Sequence, residues 1–311
     1  MSAPVWSGWL PPESLALLAA ATWATASLFS AAASARMGAF AFTRWRMVFA
    51  ALLLWGMALA TGQWRSLWSD GGSAAWQAIG LLVLSGVIGI FVGDTALFAC
   101  MNRLGPRRSG LLFATHSLFT VVLAALFLEE SLKGWAVPGG VLLVGGVMGA
   151  IALGRRVGAA HQLEATQGQL AAGVALGLLS ALGQSVGTLV LKPAMAAGLD
   201  PVAASAVRMT AGFACHALLW CTGLQMARVQ SALRWRDLAY TFASAALAMA
   251  VGMTLILKAL QHGSAGLVGM LSSVSPVLLL PLLWWRTGQR PAWGAWLGAA
   301  MAVVGCALIL A

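Results

Sequence analysis

Asp94 is the only acid deep in a long apolar stretch of this sequence, and it is the natural starting point for any chemistry the chain performs. It lies eight residues before Asn102, about 12 Å along a helix at 1.5 Å per residue. A carboxylate at such depth has two readings. It contacts a substrate ammonium or binds a proton, or it forms a structural ion pair with Arg44, Arg46 or Arg107. His116 is the second candidate. Phe113, His116 and Thr120 are spaced i, i+3 and i+7 and therefore share one helix face, with Thr115 and Ser117 flanking the imidazole. At an offset of 158 residues the partners of Thr115 and Ser117 are Ser273 and Ser275, with Ser272 beside them. Hydroxyls at matched depths suit the wall of a central cavity, although each can instead bond its own helix backbone. Pro276 leaves a carbonyl free one turn earlier, which bends a helix at that level.

Gln184 and Ser185, and Thr22 and Trp23, extend the candidate set. Arg208, seven residues behind the helix-cap signal at Asp200-Pro201, reads as a side chain snorkelling to an interface. The substrate site expected from these residues comprises Asp94, Phe113, His116, Ser117, Gln184, Ser272 and Ser275. Its mixture of apolar wall, hydroxyls, one acid and one imidazole suits a zwitterion with an apolar side chain.

The elements that position these groups follow from the charge content. Asp, Glu, Lys and Arg make up 8% of the residues and hydrophobic types 60%, whereas a soluble domain carries about 25% charge. Mean hydropathy is +0.88. Ten stretches of at least 18 residues carry no charge: 14–35, 47–64, 71–93, 109–128, 134–154, 165–191, 209–227, 238–257, 259–285 and 291–311. A helix needs roughly 20 mostly apolar residues to cross a bilayer. Alternating ten-residue segments of a β-barrel are absent. The sequence therefore predicts an all-α integral membrane protein of ten transmembrane helices. The first apolar stretch is too long, and lacks the basic flank, for a cleaved signal peptide.

The chain also repeats. The 158-residue offset aligns 101–105 with 259–263, Ser117 with Ser275, Trp135 with Trp293 and Gly140 with Gly298. Arg46-Met47 matches Arg208-Met209 at an offset of 162. The predicted units are 1–157 and 169–311, joined by a polar linker at 158–168. Five helices per unit is an odd number, so the second unit enters from the opposite face, giving inverted repeats of the kind that build alternating access. Glycine pairs at Gly89/Gly93, Gly145/Gly149, Gly173/Gly177, Gly183/Gly187 and Gly294/Gly298 predict close helix packing. Trp6, Trp9, Trp64, Trp68, Trp235, Trp284 and Trp285 gather near span ends as interfacial belts do.

The segments 257–260 and 272–280 resemble the third-to-fourth helix core of an EamA repeat. The first copy has the corresponding region at 93–108, 118–120 and 126–132, including Leu126-Phe127-Leu128-Glu129-Glu130-Ser131-Leu132. The resemblance spans nearly the whole chain and points to the drug/metabolite transporter superfamily, most closely to amino-acid exporters of the YddG kind. Leu118 stands where these repeats usually have Pro, Glu129 where they have Gly, and Gly288 aligns with Glu130. The resemblance implies export of small metabolites, amino acids foremost and drugs besides, from a bacterial-type inner membrane.

Other function classes find little support. The net charge of +10 comes from Arg residues set singly or in small groups between apolar runs, so they read as topology determinants and not as a nucleic-acid stripe. Cys100, Cys215, Cys221 and Cys306 lack metal or redox spacing and read as packing residues. No His-Glu-x-x-His or phosphate-loop sequence is present, so neither a metal, another cofactor nor nucleotide hydrolysis is expected. The expected partners are a small-molecule substrate and the lipid bilayer. A lipid-modifying enzyme and a non-transporting assembly protein are the alternatives. Thirteen Lys/Arg (Arg36, Arg44, Arg46, Arg103, Arg107, Arg108, Arg155, Arg156, Arg228, Arg234, Arg236, Arg286, Arg290) lie on one face, against Arg65, Lys133, Lys192 and Lys258 on the other. The positive-inside rule then places both termini outside the cytoplasm.

Overall fold

The computed structural model describes residues 10–69, 71–130, 134–153, 169–287 and 290–310. Trp6, Trp9, Lys133, Arg155, Arg156, Gly288 and the 158–168 linker lie outside that set, as does the side chain of Arg107. With few charges and no water in a bilayer core, backbone groups must be satisfied within each segment. The described residues accordingly form helices and no strands. The first half contains α1 (Pro12–Met37), α2 (Ala39–Thr61), α3 (Gly72–Gly105), α4 (Arg108–Phe127) and α5 (Ala136–Leu153). The second contains α6 (Leu170–Ala196), α7 (Pro201–Cys221), α8 (Trp235–His262), α9 in two pieces (Ala265–Ser272 and Ser275–Thr287) and α10 (Trp293–Leu310). Eight of these are long and apolar enough to cross a membrane. The other two, α5 and α10, are shorter over the residues whose side chains are described, so the expected count of ten spans is met in full only if both are included.

Chain punctuation follows local chemistry. Gly105 adopts φ 80 and ψ 160, a conformation open to glycine, and it separates α3 from α4. Asp200 caps α7: its Oδ1 accepts from the Val202 and Ala203 amides at 2.9 and 3.0 Å, with Pro201 in the first turn.

The two halves interlock through reciprocal contacts. α1 packs on α8 and α9 of the second half, and α6 packs on α3 and α4 of the first. α2 lies against α7, and α5 against α10. Small residues make these contacts close: the buried face of α1 is almost entirely Ala and Ser. Between α3 and α6, a Cβ on Gly187 would come within 2.9 Å of the Gly89 Cα, and one on Gly183 within 3.2 Å of the Gly93 Cα. The Gly89/Gly93 and Gly183/Gly187 pairs are thus one seam. Gly145 faces open space, so the expected Gly145/Gly149 contact gives way to Gly139 and Gly146, which meet α10 at Gly305 and Gly298. The seven-residue spacing keeps both on one stripe of α5. Large apolar side chains point outward instead, among them Leu52, Leu126, Phe127, Val141 and Leu218, as a lipid-facing surface requires. Trp68, Trp235, Trp284 and Trp285 are exposed near helix ends.

Candidate functional site

The helices that carry the candidate residues are irregular at matched positions. α3 is π-helical over Gly86–Asp94 and α8 over Ala245–Gly252, and the two segments end at residues aligned by the 158 offset. Such wide turns concentrate at functional sites. α4 breaks at Thr115 (φ −66, ψ −11) and α9 at Ser273 (φ −71, ψ −8), again aligned residues. Pro276 sits one turn past the second break, but its counterpart Leu118 follows an equivalent break in the first copy, so proline is not what creates it.

The hydroxyls at these breaks cap their own helices. Thr115 Oγ1 donates to the Leu112 carbonyl at 2.6 Å and Ser273 Oγ to that of Met270 at 2.7 Å. Ser117 donates to Ala114 at 2.9 Å and Ser272 to Gly269 at 3.0 Å. Each hydroxyl keeps acceptor capacity after that bond. Ser275 is half-buried.

His116 is buried, with its ring centroid 5.0 Å from that of Phe113. Its carbonyl accepts from Thr120 Oγ1 at 2.8 Å and from Ser185 Oγ at 2.7 Å, and the two hydroxyls bond each other at 3.0 Å. Ser185, rather than its neighbour Gln184, therefore ties α6 to α4; Gln184 is itself buried. A Cβ on Gly269 would lie 3.1 Å from Thr120, which brings the first piece of α9, one turn before Ser272, onto the same stretch of α4. Phe113, His116, Ser117, Gln184 and Ser272 thus sit on three helices that meet.

Asp94 belongs to a separate cluster. Its Oδ2 accepts from Arg46 Nη1 at 2.8 Å, with both side chains buried. Of the arginines considered as partners, Arg44 instead donates to the Ala227 carbonyl at 2.8 Å and lies over the Trp220 ring. Arg46 also stacks 5.1 Å from the Phe98 ring. Arg208 does not snorkel. It is 1% exposed, because α7 seats it against the π-helical part of α3, where Gly86 and Gly89 leave room for it. A second buried imidazole, His216 on α7, went unmarked although it occupies an uncharged run much as His116 does. Its Nε2 is 3.1 Å from Thr95 Oγ1, and its ring packs on Phe91.

Polar contacts close both ends of the bundle. At one end, the Glu130 carboxylate accepts from the Ala265 and Gly266 amides at 3.0 and 3.2 Å, and Lys192 donates to the Leu260 and Gly263 carbonyls. At the other, Arg36 pairs with Asp237 at 3.2 Å and Ser34 bonds Asn102. The Glu130 and Arg36 contacts each join one half of the chain to the other, whereas the Lys192 contacts lie within the second half.

Comparison with known proteins agrees with this architecture. A crystal structure of another protein superposes with a TM-score of 0.73, covering 96% of this chain and 95% of its own. At 19% identity that likeness shows the fold alone. No curated protein matches the sequence. The EamA-like transporter family matches twice, at residues 10–152 and 171–311. The chain belongs to the EamA-like transporter family, as a multi-pass helical membrane protein built from two EamA repeats.

Proposed function

We propose that this protein exports small zwitterionic metabolites, apolar and aromatic amino acids foremost, by alternating access between its two repeats. The observation that carries the reading is the pair of aligned helix breaks at Thr115 and Ser273, each next to buried polar groups on helices that meet at the interface of the repeats. Broken helices at the interface of inverted repeats are how many secondary transporters build a substrate site. The site takes in Phe113, His116, Ser117 and Gln184 from α4 and α6, with Ser272 and Ser275 from α9. Phe113 contacts the apolar side chain. His116 and the hydroxyls orient the polar end, and Asp94 tunes the charge of the adjoining core. Drugs of similar size and polarity are further substrates.

On this reading α5 and α10 also cross the membrane, which completes ten spans, and the protein resides in a bacterial-type inner membrane. Arg46 is paired inside the bundle and so drops out of the topology bias, leaving twelve basic residues against four. The bias still assigns both termini to the non-cytoplasmic side. Glu130 then latches the two repeats at the outer face, and Arg36–Asp237 at the inner one.

Thiol labelling tests the mechanism. In a background without the four native cysteines, Thr115→Cys and Ser273→Cys should each react with a small aqueous thiol reagent, at rates that change on adding a transported amino acid. Protection of both under every condition would mean a dry bundle and refute alternating access.

A further inference from the structure

Arg208 is the bulkiest of the fully buried side chains among the described residues, and its Nε and Nη1 atoms have no hydrogen-bond partner. Arg46 Nε is likewise unpartnered. The repeat explains how this arises. Arg46 on α2 and Arg208 on α7 are matched by the 162 offset, and their helices pack together. The acid is not matched: 158 residues beyond Asp94 stands Gly252. A side chain there has no room, because a Cβ would come within 2.5 Å of Thr22 Oγ1 and 2.7 Å of the Trp23 indole nitrogen. This cluster therefore holds two buried guanidiniums and, among the described residues, one carboxylate, and Asp94 lies within electrostatic reach of both.

A buried charge without a counter-charge is strongly unfavourable, and guanidinium donors are matched best by a planar, bidentate carboxylate. The flank of Arg208 toward α3 is lined by glycine: a Cβ on Gly89 would lie 3.3 Å from Arg208 Nη2. That part of α3 is the π-helical stretch ending in Asp94.

We propose that Arg208, with the Arg46–Asp94 pair beside it, is an anion-binding site in the membrane core that takes the carboxylate of the transported solute. The proposal rests on the transporter reading and narrows its substrate class to solutes bearing a carboxylate. Asp94 neutralises one guanidinium permanently, and the solute neutralises the other in transit. Because Arg208 is enclosed in this state, the solute reaches it when the repeats part along the Gly89–Gly187 seam.

The test uses purified full-length protein in detergent, with radiolabelled phenylalanine as the probe. Unlabelled 3-phenylpropionate, which keeps the carboxylate and lacks the ammonium, should compete. The amine 2-phenylethylamine, which lacks the carboxylate, should be weaker by roughly tenfold or more, the value of a charged hydrogen bond. Arg208→Lys should weaken phenylalanine and phenylpropionate by a similar factor and leave phenylethylamine unchanged. A second measurement needs no amino-acid binding. In a bulky sulfonate buffer, sodium acetate or phenylpropionate should raise the thermal midpoint of the wild type but not of Arg208→Met, whose midpoint in that buffer should equal or exceed the wild type. An equal rise with sodium chloride, or carboxylate selectivity that survives in the Arg208 variants, would overturn the site. If phenylalanine is transported while selectivity survives in the variants, the site fails and the transporter reading stands. If no amino acid is transported but carboxylates still stabilise the wild type through Arg208, the site stands and the amino-acid reading fails.

Discussion

Replacing Asp94 by asparagine removes the only carboxylate among the described residues that pairs with Arg46, leaving two guanidiniums in a region where each is at most 5% exposed. The bridge is 2.8 Å long. For charges about 4 Å apart at an effective dielectric of about 20 the attraction is about 4 kcal/mol, and removing one member of a buried pair costs about 3–5 kcal/mol. The loss should appear in full because neither side chain has water to turn to. Arg46→Gln alone should cost less, since it breaks the same bridge but leaves the Asp94 carboxylate within electrostatic reach of Arg208. The double variant should recover a large part of the loss, because two neutral amides can bond each other. Equilibrium unfolding in mixed micelles, followed by tryptophan fluorescence, gives the three values of this cycle. If Asp94→Asn alone unfolds within about 0.5 kcal/mol of the wild type, the range of an unremarkable surface change, the pair is not what holds α2 to α3. A stable Asp94→Asn variant that no longer transports would return Asp94 to the role of ammonium ligand.

Other consequences are simpler. Gly187→Leu should destabilise by about 1–3 kcal/mol or more through overpacking of the α3–α6 seam, while Gly145→Leu, which faces open space, should be near neutral in the same unfolding assay. Asp200→Ala should cost about 1 kcal/mol by uncapping α7, read as a lower unfolding midpoint with transport retained. His116→Ala should reduce efflux several-fold while expression and thermal stability stay close to wild type; a wild-type rate would exclude the imidazole from the site. Alkaline phosphatase fused after Ala311 should be active in a bacterial host, and an inactive fusion would reverse the topology.

Much of the fold was legible because the bilayer imposes it. Uncharged runs had to be helices, and the 158-residue offset set Thr115 and Ser273 at matched depth, although nothing in their types says that both helices break there. The glycine seam at Gly89, Gly93, Gly183 and Gly187 was legible for the same reason, since four-residue spacing marks one helix face. At α5 that rule misled, because a seven-residue stripe marks a face equally well and nothing in the sequence says which one meets α10. Charges were hardest to place. Arg208 lies seven residues into its run, a depth compatible with snorkelling or with burial, and only the packing of α7 on α3 decides between them. The partner of Asp94 is Arg46, 48 residues away on another helix; it was one of three arginines the sequence offered, and spacing cannot choose among them. His216 carried the same signal as His116 and was distinguishable only by what packs around it.

The most direct test of the central claim is counterflow in proteoliposomes of the purified protein. Vesicles loaded with unlabelled phenylalanine and diluted into trace labelled phenylalanine should show a transient accumulation of label above equilibrium. A panel of apolar and aromatic amino acids should compete for it, and protein-free vesicles should show none. If none of the amino acids or cationic drugs in such a panel is exchanged faster than in protein-free vesicles, the account of this chain as an exporter of small zwitterions is contradicted.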